Sequence, residues 1–82
     1  MYDLFYSQKA EKSLLKLPTQ IQKRILAGLE RARVRPQAHF ERLVGMKVYK
    51  LRVGDYRIIA DIHTGELRIL VIEIGNRRNI YK

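Results

Sequence analysis

With 82 residues and a formal net charge of +9, the chain is a single small, strongly basic domain spanning residues 1–82. Its 46% apolar and 30% charged residues describe a folded globular domain rather than a disordered tail. The absence of cysteine excludes disulfides and thiolate metal sites. No apolar run approaches the ~20 residues a membrane span needs, so no membrane partner is expected.

The N-terminal segment YDLFY lacks the cationic and apolar regions of a secretory signal, and a cytoplasmic location is the expectation. In chain order, Tyr2 to Tyr6 alternates weakly and predicts a first strand. Ser7 is placed to cap a helix over Gln8 to Leu17, with Ala10, Leu14 and Leu17 on one face. Pro18 opens a second helix, for which Thr19 and Gln22 offer a capping box. Its apolar stripe is Ile21, Ile25, Leu29 and Ala32, with Lys23, Arg24, Glu30 and Arg31 on the solvated side. Pro36 stops it by about Arg35.

A connection holding His39 and Phe40 leads into LVGMKVYKLRVGDYRIIADI, which reads as two strands around a Gly54-Asp55 turn. Alternation puts Tyr49, Leu51 and Val53 on one face, together with Tyr56, Ile58, Ala60 and Ile62. These should pack on the helices, leaving Lys50, Arg52, Arg57 and Asp61 on the other face. Thr64-Gly65 turns the chain into Glu66 to Ile74, whose near-continuous apolar run predicts a central strand covered on both sides, ended by Gly75-Asn76. The expected order is β-αα-βββ, an α+β fold with a helical hairpin packed on one face of a small, mainly antiparallel twisted sheet.

Charge is the functional signal. The bland reading of +9 is a solubilising surface; the functional reading is a polyanion partner, either nucleic acid or an acidic protein. Lys50, Arg52 and Arg57 lie in predicted sheet, where free surface is scarcer than on helices, and Arg77, Arg78 and Tyr81 close the sequence. If these segments meet, they form a cationic cleft with a phenol in it, suited to phosphate and base. His39 and His63 are the only histidines and read as surface residues; no close pair or carboxylate cluster frames a metal, and no cofactor is expected.

The order and spacing of Leu43/Gly45, Tyr49 to Arg57, and Gly75, Arg77 and Tyr81 resemble the RelE/ParE superfamily of toxins from toxin–antitoxin pairs, over nearly the full chain. Within it the sequence looks like the RelE branch, whose members cleave messenger RNA in the ribosomal A site. The resemblance implies a metal-independent, ribosome-dependent endoribonuclease acting by 2′-OH attack. It also implies a RelB-like acidic antitoxin as partner in a toxin–antitoxin hetero-oligomer. By position, Lys50, Arg57, Arg77 and Tyr81 match the family's acting cations and tyrosine. Val48 stands where the best-studied RelE toxins carry a second lysine, and Lys47 or Arg52 could supply that charge. The sequence given runs one residue past Tyr81, short of the C-terminal helix of some relatives.

Such cleavage needs a base for the hydroxyl, charge stabilisation at phosphorus and an acid for the 5′ oxygen. Lys50 is the candidate base, against a reading as a solvated lysine. Arg57 is the candidate phosphate clamp, against an ion pair with Asp61 or Glu73. Arg77 would stabilise the transition state or assist the leaving group. Tyr81 would stack on a base and orient the 2′-OH, or alternatively pack in the core. Lys47, Arg52 and Arg78 are the expected RNA contacts outside the chemistry. Two alternatives remain: a ParE-like non-catalytic inhibitor of DNA gyrase, and a basic RNA-binding module without catalysis.

Overall fold

The computed structural model describes residues 1–45 and 47–76. Its first strand, β1, runs Asp3–Tyr6, and Ser7 converts it directly into helix α1, Gln8–Leu15. Ser7 has the extended backbone of an N-cap, and its Oγ accepts from the Ala10 N–H at 3.0 Å. The same hydroxyl donates to the Ile72 carbonyl at 2.7 Å, and the Ser7 N–H donates to the Val71 carbonyl at 2.9 Å. One side chain thus starts a helix and ties it to a strand 65 positions away.

Helix α1 stops at Leu15, two residues short of the expected end, yet Leu17 still packs against the core from the connection. Helix α2 spans Thr19–Ala32 with Pro18 as its N-cap and no side-chain capping bond. The expected capping box does not form. Gln22 instead turns back and donates from Nε2 to the Leu17 carbonyl at 2.8 Å, satisfying the end of the preceding segment rather than the start of its own helix. After α2, a short 3-10 turn, Pro36–Ala38, buries Pro36 and leads to β2, Glu41–Arg42. This two-residue strand lies within the stretch the sequence presents as a plain connection.

Strands β3 (Tyr49–Val53), β4 (Tyr56–His63) and β5 (Arg68–Asn76) complete a sheet of order β1-β5-β4-β3-β2. β1 pairs parallel to β5 and every other pair is antiparallel. The β3–β4 hairpin turns at Gly54-Asp55 as expected, with Gly54 at φ 58, where a side chain would be strained. The next turn is closed at Leu67, also at positive φ (54), so β5 begins two residues later than the sequence suggests and continues through Asn76.

The apolar run in β5 has a different cause from the one expected. Ile59 pairs with Glu73 and Ala60 with Val71, which makes Ile72 an extra residue. Before this bulge Ile69 and Val71 face the helices; after it Ile74 does, and Glu73 is turned out. Strict alternation would have driven Glu73 into the core. Among the described residues the strand is covered on one face only, and Leu70 on the other face is 37% exposed.

The core lies between that covered face and the hairpin of helices. Ala10 and Leu14 of α1 and Ile25, Leu29 and Ala32 of α2 meet Leu51, Ile58, Ala60, Ile69, Val71 and Ile74, with Tyr2 and Phe40 sealing the edges. Gly28 sets the distance: a Cβ there would stand 2.9 Å from Val53 Cγ2, so only glycine lets α2 lie this close to β3. At the other end of α2, Arg33 Nε donates to the Tyr2 carbonyl at 2.8 Å while the Tyr2 N–H donates to the Arg33 carbonyl at 2.9 Å.

Ser7→Ala removes a cap and the donor to Ile72 together. It should cost about 2 kcal/mol and lower Tm by roughly 10 °C in a thermal melt, while Ser7→Thr should retain most of the stability.

Burial raises the Tyr6 phenol above its ordinary 10.0; the Glu30 carboxylate adds to the rise and Arg33 opposes it. Below that value both folded and unfolded chains hold the proton. Above it the unfolded chain ionises first, so stability falls as pH rises through the folded-state pKa. The stability difference between the protein and Tyr6→Phe, measured by urea denaturation, should therefore be flat below pH ~10 and shift in favour of the phenylalanine variant above it. A constant difference across that range would contradict this.

Candidate functional site

Strand alternation decides which side chains the uncovered face presents. With Leu51 and Ile58 fixed in the core, Lys50, Arg52 and Arg57 must project from the opposite side of the β3–β4 hairpin. Arg52 and Arg57 are direct cross-strand partners, which sets two guanidinium-bearing residues side by side. Like charges placed directly opposite destabilise a sheet, and an anion between them relieves the repulsion. Arg52 is exposed, whereas Arg57 is half-buried with its Nε shielded from solvent.

Lys50 occupies the next row. Its side chain is only 19% exposed, and its Nζ stands 4.0 Å from the Glu41 carboxylate across the β2–β3 pair. Glu41 is the site residue that sequence reasoning missed. A two-residue strand is too short for periodicity to reveal, so nothing in the sequence placed a carboxylate opposite Lys50. The row continues through Ile59 to Glu73, which forms an ion pair with Lys9 reaching from α1. Asp61 is in contact with His63 Nε2 at 3.0 Å.

Lys47 sits outside this cluster. It is exposed in the loop before β3 and lines a groove of about 430 Å³ with Arg42, Leu43, Val44 and Gly45. The Leu43 N–H donates to the Val48 carbonyl at 3.0 Å to close the loop, and Gly45 takes a positive φ of 76 within it. Arg77, Arg78 and Tyr81 lie outside the described residues, and with them half of the expected four-residue convergence. His39 and His63 are both exposed. Among the described residues no group of His, Cys, Asp or Glu is arranged to hold a metal ion, and no helix is long and apolar enough to cross a membrane.

The uncovered face therefore has two ends. Around Arg52 and Arg57 it is cationic. Around Phe5 and Leu70 it is apolar, forming a groove of about 380 Å³ with His63, Glu66 and Arg68, whose guanidinium lies 5.7 Å from the centre of the Phe5 ring. The cationic end can bind phosphate through forked guanidinium groups, with the Lys50 side chain in the neighbouring row.

The Arg52–Arg57 repulsion has a measurable signature. Arg52→Ala should stabilise the protein by about 0.2–1 kcal/mol in low-salt urea denaturation, and the gain should shrink as salt is added. A loss of stability at low salt would show that Arg52 contributes packing that outweighs the repulsion.

The comparisons with known proteins agree with this architecture. A family model described as the ParE toxin of type II toxin–antitoxin systems (parDE) matches residues 4–81. No curated protein sequence matches the chain. Among solved structures, a chain of the intact E. coli RelBE toxin–antitoxin complex is 26% identical, with a TM-score of 0.78 over 93% of this chain and 96% of that one. The isolated E. coli RelE toxin superposes with a TM-score of 0.80 at 23% identity, over 93% of this chain and 84% of that one. A chain of the archaeal RelE–RelB complex from Pyrococcus horikoshii gives 0.80 at 22% identity, over 95% and 97%. These last two establish likeness of fold. Matched along nearly its whole length, the chain belongs to the ParE toxin family of type II toxin–antitoxin systems, and so to the RelE/ParE superfamily, with the fold of its RelE-like branch.

Proposed function

We propose that this toxin is an endoribonuclease that cleaves messenger RNA in the ribosomal A site by metal-independent 2′-OH attack, and that a RelB-like antitoxin neutralises it. The observation that carries the reading is the placement of Lys50, Arg52 and Arg57 together on the uncovered face of a RelE-like sheet. In this scheme Arg57 clamps the scissile phosphate and Lys50, beside Glu41, exchanges the proton of the attacking hydroxyl. Arg77 stabilises the pentacovalent phosphorus, and Tyr81 stacks on a base and orients the 2′-OH. Lys47, Arg52 and Arg78 hold the RNA backbone. The ribosome supplies the strand geometry that so small a site does not impose by itself.

The antitoxin reading is supported by the complexes among the similar structures, and by the surface itself. A net charge of +9 attracts an acidic partner, and the apolar groove at Phe5 and Leu70 gives that partner area to bury. Charge then sets the speed of capture and apolar burial the lifetime of the complex.

A second reading has its own support, since the matching family model is that of ParE. On that reading the same cationic face binds DNA gyrase and breaks no bond. Single-turnover cleavage of messenger RNA on saturating programmed ribosomes, run beside a gyrase supercoiling assay, separates the two. Arg77→Ala should lower the cleavage rate about 10²–10³-fold, as loss of one transition-state donor does, whereas Arg78→Ala should chiefly weaken salt-dependent binding. Products should end in 2′,3′-cyclic phosphate. Inhibited supercoiling with intact messenger RNA would establish the gyrase reading instead, and equal losses in the two variants would reduce the patch to a uniform electrostatic binder.

A further inference from the structure

Strand β2 pairs with β3 only at Tyr49 and Lys50, so among the described residues no strand pairs with the outer edge of β3 from Leu51 to Val53. Helix α2 packs over the Val53 end of β3, drawn close because Gly28 has no side chain to hold Val53 away. The result is a groove of about 370 Å³ lined by Arg24, Ala27, Arg31, Arg52, Val53 and Gly54. Arg24 and Arg31 are two helical turns apart, about 10.5 Å along the axis, and both are exposed. The Arg24 guanidinium lies against the hairpin turn, where a Cβ on Gly54 would come within 3.4 Å of it. Among the described residues Arg24, Arg31 and Arg52 have no hydrogen-bond or ion-pair partner. No carboxylate among the described residues lines the groove.

We propose that this flank groove is a second phosphate site that grips single-stranded RNA backbone away from the cleavage face. Arg52 belongs to both surfaces: it lines the groove and is the cross-strand partner of Arg57. A cationic track therefore runs from Arg31 and Arg24 around the open edge of β3 to the uncovered face. A strand laid along it enters the site from the α2 side. Forked guanidinium groups suit phosphate oxygens, and the groove has little for a peptide to bury, since among the described residues exposed Ala27 and half-buried Val53 are its apolar side chains. The proposal goes beyond the cleavage reading, because it requires neither a ribosome nor a broken bond.

Fluorescence anisotropy of a short 2′-O-methyl RNA, which cannot be cleaved by 2′-OH attack, tests it on the purified protein across a salt series. At ~0.7 per single-strand phosphate contact, R24Q/R31Q should flatten the slope of log affinity against log salt by about 1.4. K12Q/K16Q removes the same charge from α1 and should leave the slope in place. R24K/R31K keeps the charge but loses the fork, and should hold the slope while binding more weakly; it carries the test if R24Q/R31Q melts early. Equal flattening by the arginine and lysine pairs would overturn the proposal, because the groove would then be a share of diffuse charge. Undiminished RNA binding by R24Q/R31Q, with loss of binding to a poly-glutamate peptide, would overturn it too and assign the groove to an acidic polypeptide. A gyrase-directed or catalytically silent toxin would still give the expected slopes, so failure of the cleavage reading and failure of this one are distinguishable.

Discussion

The contact on which the architecture depends is the one between Ser7 and the bulge at Ile72. A bulge adds a residue to one strand and disrupts the ladder locally. Here it also reverses the phase of β5, so that Ile69 and Val71 before it and Ile74 after it all reach the same core. Ser7 meets the bulge from the side at the position where β1 gives way to α1, donating to the carbonyls of both Val71 and Ile72. The switch from parallel strand to helix and the switch of phase in β5 are thus fastened at one point. Beyond the bulge Glu73 and Ile74 take their orientation from it, which sets Ile74 opposite Ile58 in the core.

The uncovered face of the sheet gathers positive charge at one end. The helices take up the apolar side of the sheet, and the strands present its cationic side. Glu41 meets Lys50, Lys9 meets Glu73 and His63 meets Asp61, yet Arg52 and Arg57 remain direct neighbours. A fold selected for stability alone would place a carboxylate in one of those positions. Two cations held side by side concentrate positive charge on this part of the sheet.

Much of this was legible in the sequence, for physical reasons that can be named. Ser7 was readable as a cap because a hydroxyl before a periodic apolar segment has few other roles. The two faces of the hairpin were readable because β3 and β4 each keep an unbroken period of two. Three features were not readable. Strand β2 is too short to carry a period, which hid Glu41. The Gln22 amide could accept, as a capping box requires, or donate, and tertiary geometry selected donation to the Leu17 carbonyl. The run Ile69 to Ile72 looks the same whether a strand is covered twice or bulged once; only the partner register separates these, and it gives the bulge. At the site, the cross-strand placement of Lys50 and Arg57 followed from alternation alone. The groove of Arg24 and Arg31 did not, because exposed arginines on a helix carry no mark of what the helix lies beside.

The pairing of β1 with β5 joins residues 3–6 to residues 68–71. Contacts of such sequence separation slow folding, because the chain between them must be ordered before they form. It also imposes an order on synthesis. β1, α1 and α2 leave the ribosome carrying Ala10, Leu14, Ile25 and Leu29 with no sheet to cover, and the strand that supplies Ile69, Val71 and Ile74 is made after the others. Neither the core nor the cationic face can exist on a partly made chain. The domain therefore acquires its surface all at once, only after β5 has been made, and until then it is an unprotected apolar hairpin on which a partner or chaperone can act.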